Sequence, residues 1–385
     1  MLLQNTQVAI VGGGPGGLTL ARLLQQQGAA ATVYERDRNG HERVQGGTLD
    51  LHHESGLAAL HAAGLLEEFK ARYRPGADRL RLTDKHATVV HDEHANGHAV
   101  FGDAAFRPEI DRGPLRDLLL HSLQPDTVMW DSQLVSVQSL GAGWQLVFRS
   151  GATATADILI GADGANSRIR PLLTPIKPFY SGVTIVEGSI YDSARNARRL
   201  HELTQGGKVF ALDDAKTVVV SAKGDGSLSF YTGSKTAETW ARDSGIDFSN
   251  AAQVLGWFQK EFAGWDVIWT ELFGSQTTHC VPRPQYCMPF DQTWETRPNL
   301  TLIGDAAHLM PPYAGEGVNM AMLDALELSG CLTSAQFPNL QAAIGHYELQ
   351  MRRRASAVAQ ETMEQTAALH APGSLAHLVG FFGLA

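Results

Sequence analysis

The chain has 385 residues, of which 44% are hydrophobic and 18% charged, with a formal net charge of −9 at pH 7. This length corresponds to two or three domain-sized units, and the acidic balance excludes a broad nucleic-acid-binding surface. The three cysteines lack metal-ligand spacing, so we expect reduced thiols and no metal site. The chain enters a strand at once and no apolar run approaches roughly 18 residues. We therefore expect a cytoplasmic protein that does not span a membrane.

The first fifty residues show the pattern of a nucleotide-binding βαβ unit. Residues Val8 to Val11 form an apolar strand, a glycine-rich turn with Pro15 follows, and an apolar helical stripe runs to Gly28. A second strand, Ala31 to Tyr34, ends at Glu35. A GxGxxG motif alone is weak evidence, but here the strand, the helix and the acidic residue are all in place.

Each residue type in this motif has a physical reason to be there. Gly12 permits the tight turn, Gly14 lets the backbone approach a pyrophosphate, and Gly17 lets helix and strand pack closely. The helix N-terminus offers amides and a positive dipole to the phosphates. We expect Glu35 to accept hydrogen bonds from ribose hydroxyls, and its charge disfavours NADP. At this point the pattern leaves NAD and FAD open.

Two later blocks also place polar turns after apolar strands. In ADILIGADGANSRIR, residues 156–170, a strand ends at Gly161 and Asp163 begins an Asp-Gly turn, which is common by itself. In LTLIGDAAHLMPPYAGEGVNMAMLDA, residues 300–325, a strand ends before Asp305, and prolines and glycines precede a helix. The second block is either a plain turn or a place where the backbone approaches something flat and polar. No second GxGxxG follows.

Together, these three blocks resemble the GxGxxG, DG and GD motifs of the group A flavin-dependent aromatic hydroxylases, in order and in spacing. The resemblance spans nearly the full chain. Four stretches are similar in particular to the TetX-like, tetracycline-inactivating subgroup: VYERD, GGTLDLH, EIDRGPLRDLLLHSL and GDAAHLMPPYAGEGVN. The resemblance implies an α/β fold with a Rossmann-like FAD-binding domain of the para-hydroxybenzoate hydroxylase type. It also implies an inserted β-sheet substrate domain and a long C-terminal bridging helix.

The middle and the end of the chain fit this division. Residues 175–290 alternate apolar and polar side chains between Asp/Gly turns, which indicates hairpin strands. A helical pattern extends from Leu340 to Leu369. With the resemblance, we expect a discontinuous FAD-binding domain at 1–174 with 291–335. We expect a β-rich substrate domain at 175–290 and a C-terminal helix at 336–385 that braces both.

The resemblance also implies which residues hold a non-covalent FAD. Asp305 matches the aspartate that bonds the ribityl chain, Arg112 matches an arginine beside the isoalloxazine ring, and the helix from Val318 points its N-terminus at the pyrimidine end. Arg116 has the alternative of a surface helix arginine. The implied cofactor-binding residues are Gly12, Gly14, Pro15, Gly17, Glu35, Arg36, Asp50, Arg112, Arg116, Asp163, Asp305, Pro312, Gly315, Gly317, Val318 and Asn319.

The implied reaction takes electrons from NADPH or NADH and an oxygen atom from O2. A C4a-hydroperoxyflavin transfers that oxygen to an aromatic or polycyclic substrate, and the resemblance identifies no acid or base residue. The implied substrate contacts are Glu187, Lys208, Ser229 and Tyr313. The TetX-like subgroup has glutamine, arginine and histidine at the first three positions, and these departures weaken the expectation of tetracycline itself. The polar positions have the alternative of plain solvent-facing strand residues.

Two other functions remain open from the sequence. A flavin oxidase or dehydrogenase can use the same fold, because one fold hosts several chemistries. A flavoprotein that sequesters a planar drug without converting it is the third possibility. In each case we expect a small-molecule partner, no nucleic acid and no membrane. We expect a monomer, with an oligomer as the alternative.

Overall fold

The computed structural model describes residues 2–40, 46–95, 100–103, 106–274 and 280–383. Its strands are β1 (Val8–Val11), β2 (Ala31–Tyr34), β3 (Thr48–Asp50), β4 (Leu80–Thr83), β5 (Val89–Asp92), β6 (Glu109–Asp111), β7 (Val128–Met129), β8 (Leu134–Leu140), β9 (Gly143–Phe148), β10 (Thr153–Ala156), β11 (Ile158–Gly161), β12 (Phe179–Ile190), β13 (Lys208–Asp213), β14 (Lys216–Ala222), β15 (Leu228–Lys235), β16 (Val281–Cys287) and β17 (Leu300–Leu302).

Helices connect these strands and cover the sheets. They are α1 (Pro15–Gln26), α2 (Gly56–Ala62), α3 (Leu66–Lys70), α4 (Arg112–His121), α5 (Arg170–Leu173), α6 (Ser193–Asn196), α7 (Arg198–Thr204), α8 (Trp240–Asp243), α9 (Ala251–Glu261), α10 (Asp305–His308), α11 (Glu316–Thr333), α12 (Leu340–Leu369) and α13 (Ser374–Phe381). Short 3-10 turns lie at Glu93–Ala95, Val267–Phe273 and Pro312–Ala314. Among the helices of these described ranges, none combines the length and apolarity needed to cross a bilayer.

A five-stranded parallel sheet, in the order β17-β11-β1-β2-β7, forms the centre of the nucleotide-binding half. The sequences VAIV of β1 and ILIG of β11 are buried at every position. Unbroken apolar runs are typical of central parallel strands, because helices or a second sheet cover both of their faces. Helices α1 and α11 pack against each other beside this sheet. The predicted Rossmann-like βαβ unit is therefore present in the fold.

A seven-stranded sheet, in the order β16-β12-β15-β14-β13-β4-β5, forms the second half. Its strands pair antiparallel except at β13 and β4, which are parallel. The aromatic helix α9 packs on its outer side, where Phe258 and Phe262 are each 2% exposed. The predicted limits of the substrate domain, 175–290, stay a prediction. The sheet itself also includes β4 and β5, which precede that segment.

The long helix α12 covers the residues that the sequence pattern predicts, Leu340–Leu369. Asn339 caps its N-terminus by accepting a hydrogen bond from the amide of Ala342 at 2.9 Å. Tyr347, fully buried, donates to the carbonyl of Leu302 at the end of β17 with a separation of 2.9 Å. The helix also contacts β12 of the larger sheet. It therefore touches both halves of the molecule.

A buried carboxylate joins the end of the parallel sheet to α11 and α12. Asp324, without exposed surface, accepts hydrogen bonds from the amide of Gly304 (2.8 Å), from His308 Nε2 (2.5 Å) and from Arg354 (2.8 Å). Arg354 also bonds Glu327 at 2.6 Å. Burial alone raises the pKa of Asp324, but the charges of His308 and Arg354 lower this pKa overall. The carboxylate is therefore ionised and holds three segments together.

Replacing Asp324 by asparagine tests the contribution of these buried hydrogen bonds and ion pairs. We expect Asp324→Asn to lower the free energy of unfolding by about 3 kcal/mol, because the buried His308 and the partly buried Arg354 lose their counter-charge. Glu327→Gln removes a partly exposed partner of the same arginine, so we expect a loss below about 1 kcal/mol. Urea unfolding of both variants measures the difference. Equal losses would show that Asp324 has no special place in the fold.

Candidate functional site

The glycine-rich turn after β1 is closed on its inner side and open on its outer side. Gly12 has φ +114°, and a Cβ there would lie 2.2 Å from the carbonyl oxygen of Ala162. A Cβ on Gly17 would lie 2.1 Å from the carbonyl oxygen of Gly12. A Cβ on Gly14 would meet nothing within 4 Å. The turn thus presents bare backbone and the N-terminus of α1, which begins at Pro15, to an open face.

The loop after β2 is organised by buried charges. Glu35, 5% exposed, accepts hydrogen bonds from the amides of Gly13 (2.6 Å) and Asp37 (3.0 Å). Arg116 of α4 bonds Asp37 at 2.9 Å and the carbonyl of Gly40 at 3.2 Å. Arg116 is therefore a buried structural residue, and its alternative as a surface arginine does not hold. Arg36, another of the predicted cofactor-binding residues, lies between Glu35 and Asp37 and is exposed.

The DG and GD motifs lie side by side and are bonded to each other. Arg170 donates to the carbonyls of Ala306 (2.6 Å) and Asp305 (2.8 Å), so it holds the backbone of the GD loop. Asp163 accepts from the amide of Arg168 at 2.7 Å through Oδ2. Its Oδ1 is buried and has no hydrogen-bond partner among the described residues. Burial raises the pKa of Asp163.

A cavity of about 1710 Å³ lies between the GD loop and the seven-stranded sheet. Pockets for a single drug-sized ligand span about 300–1,000 Å³, so this cavity has room for a flat cofactor ring and a substrate together. Eleven of the predicted site residues line it: Asp50, Arg112, Glu187, Lys208, Ser229, Asp305, Pro312, Tyr313, Gly315, Gly317 and Val318. The structure therefore brings the predicted ring-side and substrate-side residues together in one chamber.

The substrate-side lysine is paired with an acid that the sequence analysis missed. Lys208 of β13 bonds Glu109 of β6, and the charges of Glu109 and Asp50 raise the pKa of this lysine although burial opposes them. Burial raises the pKa of Glu109, which is 1% exposed. The sequence signal was present, because Glu109 directly precedes Ile110 and Asp111 in the predicted EIDRGPLR stretch. Nothing in the sequence pairs it with residue 208.

A second ion pair and an arginine complete the polar lining. Glu187 of β12 bonds Arg283 of β16 across the two strands. Arg112, at the start of α4, faces Glu187 and Asp305, while burial lowers the pKa of its guanidinium. Burial raises the pKa of Asp305, and the nearby positive charges, Arg112 among them, oppose that shift. Ser229 is 7% exposed and points near Gly47, whose hypothetical Cβ would lie 3.3 Å from its Oγ.

Tyr313, one of the predicted substrate contacts, is hydrogen-bonded to the end of the C-terminal helix α12. Its hydroxyl lies 3.2 Å from His370 Nε2, and His370 Nδ1 lies 2.8 Å from the carbonyl of Thr366. The carbonyl only accepts, so Nδ1 carries the proton and Nε2 accepts from Tyr313. Burial lowers the pKa of His370 to about 4, which keeps this imidazole neutral. Tyr231 packs edge-on at 6.4 Å between ring centroids.

Asn319 has a positioning role and does not line the cavity. Its Oδ1 accepts from the amides of His52 (2.9 Å) and Gly56 (3.3 Å), and its Nδ2 donates to the carbonyls of Asp50 (2.9 Å) and Gly315 (3.3 Å). The side chain has no capacity left for a ligand. It instead joins the start of α11 to the loop after β3. The other predicted cofactor residues lie outside the cavity, around the nucleotide turn. They are Gly12, Gly14, Pro15, Gly17, Glu35, Arg36, Arg116 and Asp163.

The arrangement fits FAD. The open face of Gly14 suits a pyrophosphate, the unpartnered Oδ1 of Asp163 offers a free acceptor, and the cavity holds a flat ring system. The sequence profile of the FAD binding domain family matches residues 5–174 and 290–363. The chain belongs to this FAD-binding family. FAD is therefore its cofactor, and the expected resemblance to flavin-dependent aromatic hydroxylases is confirmed.

Several curated relatives are named monooxygenases. The chain is 28% identical over 370 residues to the monooxygenase penA of Penicillium thymicola, covering 84% of this chain and 84% of that protein. It is 27% identical over 380 residues to the 6-hydroxynicotinate 3-monooxygenase of Pseudomonas fluorescens, covering 94% and 92%.

Solved structures share the fold. HpxO of Klebsiella pneumoniae, complexed with FAD and uric acid, superposes with a TM-score of 0.78 at 20% identity over 99% of this chain and 93% of that one. The tetracycline destructase Tet(51) superposes with a TM-score of 0.72 at 16% identity over 95% and 91%. At these identities the likeness establishes the predicted α/β flavoprotein fold and does not extend to a substrate.

Two glycine variants separate cofactor binding from folding. We expect Gly14→Ala to leave the unfolding free energy of the apoprotein within about 0.5 kcal/mol, because its methyl group meets no protein atom. The same methyl group occupies the open face, so FAD affinity should fall at least tenfold. Gly17→Ala instead clashes with the carbonyl of Gly12 and should destabilise the apoprotein itself.

Fluorescence titration with FAD and urea unfolding of the apoprotein measure the two effects. If Gly14→Ala binds FAD as the parent protein does, the pyrophosphate does not lie on this face of the turn.

Proposed function

We propose that this protein is an FAD-dependent monooxygenase that uses NADPH or NADH and O2 to hydroxylate an aromatic or polycyclic small molecule. The observation that carries the proposal is the cavity, in which the wall from Asp305 to Val318 faces the sheet residues Lys208, Ser229 and Tyr231. The names of the monooxygenase relatives and the FAD-binding family support the same reading.

When bound, FAD supplies the redox chemistry and the activation of oxygen. The protein holds and orients the two reactants. In the proposal, Asp305 accepts hydrogen bonds from the ribityl hydroxyls, and Arg112 lies beside the ring. The backbone of Gly317 and Val318, in the first turn of α11, offers amides and a positive helix end to the pyrimidine edge.

The substrate side is proposed to bind a ring through packing and a few hydrogen bonds. Tyr231, Phe210 and Tyr313 offer aromatic surfaces in the cavity lining. Lys208 already shares its charge with Glu109 and Asp50, so it acts as a hydrogen-bond donor to a phenol or carbonyl oxygen more than as an unpaired cation. The size of the cavity favours a polycyclic substrate, and tetracycline-type antibiotics are candidates by the resemblance of the flavin-side sequence motifs.

The departures on the sheet argue for a substrate other than tetracycline itself. Glu187 is held by Arg283, which leaves it an anion in an ion pair where the subgroup has a neutral amide. Ser229 is too short to reach the space that an imidazole fills. At these two positions the chamber near β12 and β15 therefore offers an ion pair and a short hydroxyl in place of an amide and an imidazole.

Oxygen incorporation tests the proposal directly. Purified holoprotein is incubated with NADPH or NADH under 18O2, with tetracycline, 6-hydroxynicotinate and uric acid as separate probes, and the products are weighed by mass spectrometry. A product heavier by one labelled oxygen, dependent on the nicotinamide, supports the monooxygenase. Stoichiometric hydrogen peroxide formed by oxidation of a probe, with no labelled product, would identify an oxidase. Probe binding without any turnover of nicotinamide would identify a sequestering protein.

Lys208 is the substrate-side residue whose removal should matter most. We expect Lys208→Met to raise the KM of the accepted probe at least tenfold, because a buried hydrogen-bond donor to the substrate is lost. Lys235→Met, an exposed lysine at the end of β15 in the same sheet, serves as the matched control and should leave KM unchanged. Steady-state nicotinamide oxidation with each variant measures this. An unchanged KM for Lys208→Met would remove this lysine from the substrate site.

A further inference from the structure

A buried histidine, His52, lies directly behind the cavity wall. His52 is 8% exposed and follows β3. Its Nε2 lies 3.2 Å from Asp50 Oδ2, and its Nδ1 lies 3.3 Å from Glu316 Oε1. Asp50 and Glu316 both line the cavity, whereas His52 does not. The three side chains form a line from the end of β3 to the first turn of α11.

The geometry of this line favours a positive charge on the imidazole. Nε2 of His52 forms a hydrogen bond with Asp50, and Nδ1 lies within ion-pair distance of Glu316, so a ring protonated on both nitrogens places its charge between two acids. The hydrogen bonds and charges of Asp50 and Glu316 raise the pKa of His52 to about 9, although its burial opposes them. His52 is therefore positively charged across the neutral pH range.

The line touches the wall proposed to face the flavin ring. Gly315 has φ +70°, and a Cβ there would lie 3.1 Å from Asp50 Oδ1. Asn319 fixes this contact, because its side chain bonds the carbonyls of both Asp50 and Gly315. Glu316 is the next residue after Gly315. The charges of Asp50, His52 and Glu316 are thus held by the same segment that forms the cavity wall.

We infer that His52 is a positioning residue that sets the redox potential of the bound flavin, by balancing the two carboxylates beside the ring with a fixed positive charge. A flavin gains electron density on reduction, and a buried charge nearby acts through a low dielectric. With His52 charged, the line carries one net negative charge instead of two. This inference rests on the proposed position of the flavin ring against this wall and not on the proposed hydroxylation, so the two are tested separately.

Removing a positive charge and removing a negative charge should shift the potential of the bound flavin in opposite directions. A residue with a merely structural role would not produce such opposite shifts. We expect His52→Gln to lower the midpoint potential of the bound flavin. The reduced form should lose at least tenfold in stability relative to the oxidised form, about 30 mV for a two-electron couple. Asp50→Asn should raise the potential. The double variant restores the net charge and should return to within about threefold of the parent protein, or about 15 mV.

Spectroelectrochemical titration of the FAD-loaded variants measures these shifts. His53→Gln removes an exposed neighbouring histidine and is the matched control, which should leave the potential unchanged. If His52→Gln fails to retain FAD, Glu316→Gln is measured in its place. The midpoint potential of the flavin bound to that variant should rise. An unchanged potential, or shifts of one sign for His52→Gln and Asp50→Asn, would overturn the assignment.

The pH dependence gives a second readout of the same charge. Because the pKa of His52 is raised to about 9, the positive charge is present below that pH and is lost above it. The potential of the parent protein should therefore fall more steeply with pH above about 9 than that of His52→Gln. Among the described residues, the other titratable groups that interact with Asp50 are Lys208, Glu109 and Tyr231. Lys208→Met is therefore titrated alongside to show that the charge of this lysine is not the source.

Discussion

The site depends on how closely three strand ends approach one another. β1, β11 and β17 lie side by side, and each leads into a glycine at or just after its last residue. A Cβ on Gly12 would lie 2.2 Å from the carbonyl of Ala162, and one on Gly304 would lie 2.9 Å from Cβ of Ala321. Side chains at these points would force strands and helices apart. With glycines there, three loops open at one edge of the sheet, where ligands of open α/β sheets bind.

The cavity beyond that edge holds many charges, and its cations are shared between acids. Lys208 lies between Glu109 and Asp50, and His52 lies between Asp50 and Glu316. A buried ion without a partner is costly, whereas a paired ion with full hydrogen bonds is tolerated. Because these cations are already neutralised, an anionic substrate gains little by approaching them. Lys208 therefore offers a ligand a hydrogen bond more than a free positive charge.

Local patterns were sufficient for the parts of the fold that depend on neighbours in the chain. The strand–glycine–helix order around Gly12 and the apolar run before Asp305 give the parallel sheet and its loops, because strand period and glycine chemistry are local properties. The pairing of Glu109 with Lys208 was out of reach, since these residues are far apart in sequence. Asn319 was assigned to the cofactor by motif position, but its four hydrogen bonds to protein backbone appear only in the folded chain.

Between β3 and β6 the chain makes an excursion to the larger sheet. This excursion explains the parallel pairing of β4 with β13 in that sheet and the cluster of Asp50, Glu109 and Lys208. β3 and β6 pair antiparallel, and this register places Asp50 opposite Glu109. Between them, α2 packs against α11 in the nucleotide-binding half, whereas β4 and β5 join the larger sheet. There Leu80 of β4 pairs with Lys208 of β13 in parallel register. Anchoring both ends of the excursion in the flavin half therefore brings the two acids to the lysine of the substrate half. The ion pair between Lys208 of the larger sheet and Glu109 of β6 therefore joins the substrate side of the cavity to the strand pair that carries Asp50.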